Sequence, residues 1–244
     1  MDSFQDFDQH NAPQRASGEI ISHAFEMYKG VFLYALLAMG IYFIVSLVIQ
    51  PISGFESKSF GEVISSSDGD FSAMKMWSIP GIKVYYGLSG LLSLVLAPLY
   101  VGIIYMANKY NFRQPMQVSD LFIGYRQNFV NVLIYSLISS IVIGISFMLC
   151  FIPAFFVLPF FLLGYPVLLF ENASFSEALS KSFNTAKDNY GVFLGASFLG
   201  LLISVAGILL CGIGIIATMP FYFAVMYSAY CAFCGVPRQL ELKN

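Results

Sequence analysis

Charge is what this chain has least of. Only 11% of its 244 residues are Asp, Glu, Lys or Arg, against roughly 25% in an ordinary soluble domain. Hydrophobic residues make up 58%. A chain this apolar cannot clothe a water-facing surface with polar groups, so lipid must solvate much of it. The formal net charge of -2 leaves no basic footprint for nucleic acid and no polybasic membrane patch. Histidine is nearly missing. His10 and His23 stand alone near the N-terminus, which argues against a histidine-built iron or zinc oxygenase centre. The four cysteines, Cys150, Cys211, Cys231 and Cys234, lie in or beside apolar runs, not in a polar loop where an extracytoplasmic disulfide is expected. The chain has no P-loop, no Gly-x-Ser-x-Gly elbow and no basic stretch at its start that would mark a cleaved signal.

What is present is long apolar runs. Four blocks hold no charged residue: Val31 to Gln50, Val84 to Asn108, Phe129 to Phe170 and Tyr190 to Gly235. A bilayer core of ~30 Å takes about 20 helical residues. The first two blocks are single spans, and the last two, at 42 and 46 residues, are helical hairpins. Their turns fall at Cys150-Phe151-Ile152-Pro153 and Cys211-Gly212-Ile213-Gly214, where Pro interrupts the ladder and Gly permits a tight turn. The runs are continuous rather than alternating, which disfavours strands. The expectation is an all-α integral membrane protein with about six transmembrane helices.

Lys and Arg set the expected orientation. With both ends inside, the inner segments hold Arg15, Lys29, Lys109, Arg113, Arg126, Lys181, Lys187, Arg238 and Lys243, and the outer ones only Lys58, Lys75 and Lys83. That split predicts an N-in, C-in multi-pass protein of a bacterial inner membrane. The outer loop, 51–83, is rich in Ser and Gly. Asp68 and Asp70 there lack the spacing and later Glu of a calcium loop.

An internal repeat emerges from the second arms of the hairpins. Ala97-Pro98-Leu99-Tyr100, Leu158-Pro159-Phe160-Phe161 and Met219-Pro220-Phe221-Tyr222 place their prolines 61 residues apart, twice. The same offset relates Asn128 to Asn189, Ser136 to Ser197 and Cys150 to Cys211. Each unit opens with a short amphipathic segment expected to lie in the interface plane. In the third unit Phe175, Ala178, Leu179, Phe183 and Ala186 share a face, and Ser174 with Glu177 forms a capping-box signal. In the first, Ile20, Ile21, Ala24, Phe25 and Tyr28 follow Ser17; in the second, Val118, Leu121, Phe122 and Tyr125 follow Pro115. The architecture is three repeats of interfacial amphipathic helix plus transmembrane hairpin. The units cover about 17–110, 117–170 and 173–235 of a single membrane domain 17–235, between a disordered polar N-terminus, 1–16, and a tail, 236–244.

The stretch Pro166-Val167-Leu168-Leu169-Phe170-Glu171, followed by Ser174-Phe175-Ser176-Glu177-Ala178-Leu179 and Ser182, resembles a signature of uncharacterised bacterial polytopic membrane proteins. These are similar to the membrane domain of glycerophosphoryl diester phosphodiesterases. The resemblance implies the repeated interfacial-helix fold and carries over no catalytic site, because the phosphodiesterase chemistry belongs to a separate soluble domain.

Candidate functional residues are few. Lys29, Arg126 and Lys187 each end an interfacial segment. They are candidate contacts for lipid phosphates or a partner's acidic groups, and equally topology anchors favoured by the helix dipole. Pro98, Pro159 and Pro220 are candidate kinks, either gating or fixed to let the arms pack. Cys231 and Cys234 form a C-x-x-C, readable as a redox pair but more simply as two packing residues. Gly195, Ala196, Gly200, Ser204 and Gly207 suggest close helix packing in the fifth span. Phe155, Phe156, Phe160 and Phe161 are expected to face lipid. No ionisable group stands inside a span, which weighs against ion-coupled transport.

No cofactor or metal is expected, and the partners are membrane lipids and other subunits of a membrane complex. Two functions follow. One is a non-catalytic scaffold or accessory subunit. The other is a lipid or small hydrophobic molecule transporter, flippase-like, with a cavity lined by residues such as Asn108, Asn131, Ser136 and Ser197 from more than one unit.

Overall fold

The computed structural model describes residues 12–56, 58, 79–149, 151–209 and 214–237. Cys150, Cys211, Asp68, Asp70, Arg238 and Lys243 lie outside the described residues. The chain is an all-helical polytopic membrane protein. Among the described residues, six segments are long and apolar enough to cross a bilayer: Ser17–Ser53, Ile82–Asn111, Phe129–Leu149, Ile152–Phe170, Tyr190–Leu209 and Ile215–Cys234.

Its polarity is inverted relative to a soluble fold. Leu33, Ile44, Met148 and Leu149 are exposed on the spans, while Ser136, Ser139, Ser146, Ser197, Ser204 and Ser228 are buried. With lipid as solvent, apolar side chains cost nothing outside, and hydroxyls turn inward to find partners.

The chain divides into two compact units, 40–96 on the one hand and 1–39 with 97–244 on the other. Within 40–96, Phe55 lies against Tyr85 with ring centroids 4.9 Å apart. Ser53 Oγ donates to Gln50 O and accepts from Phe55 N, capping the end of helix α1 (Ser17–Ser53).

Within the larger unit, the N-terminal part of α1 runs into its span without a break. A separate interfacial helix over 17–29 is therefore not formed. No proline stands between Ser17 and Gln50, and the Lys29–Glu26 pair at 2.7 Å spans one helical turn just before the span. Gly30 does not break the helix either. It gives room to Tyr110, whose ring occupies the place of the missing Cβ. Arg15 is also held in place, rather than belonging to a loose tail: its Nε donates to Ala232 O at 3.2 Å and its guanidinium lies 5.4 Å from the Phe233 ring centroid.

Helix α2 (Ile82–Asn111) contains Pro98. A short 3-10 turn, Val118–Phe122, and helix α3 (Ile123–Arg126) follow. They are anchored by the half-enclosed Lys109–Asp120 ion pair at 2.7 Å and by Gly124, whose missing Cβ leaves space for the Pro98 carbonyl. Asn128, at φ 54°, then starts helix α4 (Phe129–Leu149). Its Nδ2 donates to Leu168 O and Ala173 O at 2.9 and 2.7 Å. Asn tolerates this left-handed backbone and uses its amide locally.

The fourth span is broken. Helix α5 (Phe151–Val157) passes through a 3-10 turn, Leu158–Phe161, into helix α6 (Gly164–Phe170). Pro159 has no N–H, so the ladder cannot continue through it. The surrounding polar groups find side chains instead. Ser182 Oγ donates to Phe160 O at 2.6 Å and accepts from Leu163 N at 3.1 Å. The Tyr135 hydroxyl donates to Phe161 O at 3.1 Å, and that of Tyr190 to Phe156 O at 3.1 Å.

Ser182 belongs to helix α7 (Phe175–Asp188), which carries the capping box read from sequence: Glu177 N donates to Ser174 Oγ at 3.3 Å, and Ser174 N to Glu177 Oε2 at 2.8 Å. Its buried face is Ala178, Ser182 and Ala186, while Phe183 is 46% exposed. Ala178 and Ala186 of the expected apolar face are buried, and Ser182 between them meets the turn at Phe160–Leu163.

Helix α8 (Tyr190–Ala206) packs against helix α10 (Phe221–Cys234), and Val225 fills the space beside Gly200. The end of α8 tightens into a 3-10 turn, Gly207–Leu209. There Thr218, from helix α9 (Ile215–Thr218), donates from Oγ1 to Ser204 O at 2.7 Å and accepts from Gly207 N at 3.2 Å.

Two outcomes are expected. Ser182→Ala strands a buried carbonyl and amide, so it lowers unfolding free energy by about 1–3 kcal/mol, read by denaturant titration in detergent. The Ser174 backbone N–H, first, and its hydroxyl hold the Glu177 carboxyl below its ordinary value of 4.5. Its contribution is therefore complete above that value and is lost as pH falls through the depressed folded pKa. Amide exchange at the start of α7 should quicken over that acid range, and Glu177→Gln should remove the pH dependence.

Candidate functional site: an aromatic cavity within the membrane domain

A half-open cavity of about 380 Å³ lies beside the broken fourth span. Three of its walls come from the repeated proline motif. Tyr100, Phe161 and Tyr222 each stand two residues after Pro98, Pro159 and Pro220, and all three line it. A proline that bends or interrupts a helix redirects the residues after it. Pro98 stands inside the continuous helix α2, Pro159 in the 3-10 turn, and Pro220 at the N-cap of α10.

Tyr100 stacks on Phe223 with ring centroids 4.4 Å apart. Tyr135 meets Phe161 and Tyr165 edge-on at 6.2 and 5.2 Å. Tyr135 reaches this position because residue 164 is glycine: a Cβ there would overlap its ring. Helix α4 supplies the fourth wall through Ser139, Ser140, Ile143 and Gly144. Ser140 is exposed, and Ile143 and Gly144 are partly so. Beside Gly144 lies open space within 4 Å of where a Cβ would stand.

The lining contains no Asp, Glu, Lys, Arg, His or Cys. Its polar groups are hydroxyls in different states. Tyr135 donates to Phe161 O and Ser139 to Ser136 O at 3.1 Å, so each retains only accepting capacity. The Tyr222 hydroxyl is buried against that of Ser197, closed off from the open volume. An apolar pocket of this size with a few placed polar groups suits a small ligand.

The chain matches no protein-family model, no curated protein and no solved structure. The cavity is therefore read from its own geometry.

The structure distributes the sequence candidates differently. None of Lys29, Arg126 and Lys187 lines the cavity. Lys29 pairs with Glu26, and Arg126 and Lys187 are exposed at the ends of α3 and α7. Asn108, expected in a cavity, accepts from the Tyr227 hydroxyl at 2.9 Å. Asn131 donates to Asn128 Oδ1 at 2.6 Å and accepts from Phe175 N at 3.2 Å. Both amides hold helices together. Ser136 and Ser197 are buried behind the lining rather than on it.

The phenylalanines expected to face lipid divide. Phe156 is exposed, Phe161 lines the cavity, Phe160 stacks on Phe183 at 4.7 Å, and Phe155 lies against Phe198 at 5.7 Å. Cys231 is buried and Cys234 half-buried, both as free thiols. Cys234 sits near Lys181, Glu171 and Arg15. Among the described residues no three His, Cys, Asp or Glu converge as metal ligands.

Sequence reasoning missed Tyr135, Tyr165, Ser139 and Gly144. The signal for Tyr100, Phe161 and Tyr222 lay in the sequence, as an aromatic residue two positions after each of three prolines spaced 61 apart.

Removing the two tyrosine hydroxyls should cost different amounts. Tyr135→Phe leaves the buried Phe161 carbonyl unpaired and should cost about 1–2 kcal/mol. Tyr222→Phe removes only a contact with the Ser197 hydroxyl, a side chain rather than a backbone group, and should cost about 0–1 kcal/mol. Paired unfolding curves of the two variants check this.

Proposed function

We propose that this chain is a non-catalytic membrane protein that binds a lipid or small hydrophobic molecule in its aromatic cavity and carries it within the bilayer. The observation supporting this reading is the convergence of Tyr100, Phe161 and Tyr222, from three copies of one motif, on a single cavity. Repeats in membrane carriers commonly surround the binding site between them. The lining offers hydroxyls and rings, a set suited to recognition and poor in general acids, bases and nucleophiles. The nine-to-three division of Lys and Arg supports an N-in, C-in arrangement in a bacterial inner membrane.

A scaffold or accessory subunit is the second reading. It draws on the exposed Arg126 and Lys187, which stand where a partner's acidic groups or lipid phosphates reach them. The resemblance to the membrane domain of glycerophosphoryl diester phosphodiesterases fits a non-catalytic role under either reading.

Native mass spectrometry of the chain, extracted gently with its own lipids, separates the two. The carrier reading expects one retained small molecule per chain, lost when Gly144→Leu fills the open space beside α4. A protein partner at fixed stoichiometry, with no small molecule retained, overturns it in favour of the scaffold.

A further inference from the structure

Length and hydropathy show that a segment can cross a bilayer. They do not show how far the turn of a hairpin travels. The packing of the larger unit sets that depth. The N-terminal part of α1 follows the returning arm of the third hairpin from Ala232 back to Ala217. Arg15 Nε donates to Ala232 O, His23 Nδ1 lies 2.9 Å from Ser228 Oγ, the Phe25 ring stands 4.6 Å from that of Phe221, and the Tyr28 hydroxyl donates to Ala217 O. Another face of the same segment carries Glu19, Ser22, Glu26 and Lys29, all exposed. The side chains of Glu26 and Lys29 are 62% and 67% open. A charged side chain aimed at hydrocarbon is strongly disfavoured, so this level stands in water or among headgroups. Helix α10 needs no lipid there. Phe221 and every residue from Ala224 to Cys231 are buried in protein, and a helix apolar all round is a core helix as readily as a span.

What remains of the third hairpin is its turn. Thr218 Oγ1 bonds Ser204 O, and the residues beyond the Ser204 and Ala217 level, Val205 to Ile216, make roughly 9 Å of helix per arm. The second hairpin matches it. The hydroxyl of Tyr190, two residues after the exposed Asp188, donates to Phe156 O. The returning arm beyond that level, Phe151 to Phe156, again measures roughly 9 Å. Even the longer stretches of exposed apolar side chains on the outgoing arms, Leu137 to Leu149 on α4 and Phe198 to Leu209 on α8, reach only about 18 Å, against a hydrocarbon core of about 30 Å.

The turns are also apolar throughout. Between Ser146 and Tyr165, and between Ser204 and Thr218, the sequence holds no charged, amide or hydroxyl side chain. The loop 51–83 of the first hairpin, by contrast, holds Glu56, Lys58, Asp68, Asp70 and Lys75. Leu209 at 87% and Met148 at 83% are the most exposed large hydrophobics among the described residues. Thr218, at the edge of the third turn, spends its hydroxyl on the Ser204 carbonyl and the Gly207 amide, as a dry turn requires.

We propose that the second and third hairpins are re-entrant: their apolar turns dock into one leaflet and return to the side they came from, while residues 17–29 of α1 stay in water beside them. The interaction surface is the pair of turns, and its partner is the hydrocarbon of a single leaflet. Each hairpin still returns to its own side, so the N-in, C-in arrangement is unchanged, and the proposal does not depend on the carrier reading.

The test uses the full chain with its four cysteines changed to alanine, in sealed membrane vesicles. Lys58→Cys, Ser22→Cys, Leu149→Cys and Leu209→Cys, one per chain, meet a membrane-impermeant maleimide from each face in turn. Lys58→Cys and Ser22→Cys should label from opposite faces, and Leu149→Cys and Leu209→Cys from neither. Nitroxides attached at the last two positions should be relaxed by oxygen and shielded from a water-soluble nickel complex, as at the bilayer interior. Labelling of Leu149→Cys or Leu209→Cys overturns the proposal: from the Lys58 face because the hairpin then crosses, from the Ser22 face because it then stays out of lipid. Nitroxides at headgroup depth overturn it too. So does Ser22→Cys that resists labelling from both faces, since lipid or a partner protein would then cover residues 17–29.

Discussion

Inside a bilayer no water stands ready to satisfy a backbone group, so every interruption of a helix must be repaired by another part of the chain. The fold depends on that constraint at the fourth span. Pro159 stops the ladder, and the exposed polar groups are met by Ser182, Tyr135 and Tyr190. These side chains come from three different helices. Each repair is therefore also a tertiary contact, and the broken span becomes the hub that joins α4, α7 and α8. The same logic recurs at the end of α8, where Thr218 serves both the Ser204 carbonyl and the Gly207 amide.

The cavity follows from the same breaks. A continuous helix distributes its side chains around a cylinder and packs against its neighbours along its whole length. Interrupting it at Pro159 and restarting it at Pro220 places Phe161 and Tyr222 on a common volume with Tyr100, which follows Pro98 within the continuous α2. Aromatic rings are large and stiff, and they meet edge-on or stacked without collapsing into the remaining space. Four tyrosines and two phenylalanines around one volume thus keep a cavity open where aliphatic chains would close it. Gly164 admits Tyr135 to this arrangement, and Gly144 leaves its lipid side unobstructed.

Much of this was legible in the sequence, for a physical reason. Span number and position follow from transfer free energy alone, and the uncharged blocks record it directly. The capping box at Ser174 and Glu177 is a local device with a local signature, and it forms as read. What was not legible depends on contacts between distant segments. Periodicity grouped Phe183 with Ala178 and Ala186 on one face of α7, but gave no sign that Ser182 serves the turn at Phe160–Leu163. Asn108 and Asn131 look like cavity residues in an apolar run. Whether an amide faces a ligand or Tyr227 and Phe175 N is decided by helices far away in sequence. The first interfacial segment was expected to stand apart from its span, yet helix α1 runs through Gly30, whose smallness serves the Tyr110 ring.

The interior that repairs so many of its broken backbone groups also sets the Tyr222 hydroxyl against that of Ser197, away from the open volume. The two residues lie on α10 and α8, the pair of helices packed through Gly200 and Val225. On the other side Tyr100 stacks on Phe223, the residue next to Tyr222. The start of α10 is thus held by a polar contact toward α8 and by a ring contact toward α2, and the cavity is bounded by rings whose polar ends are tied elsewhere.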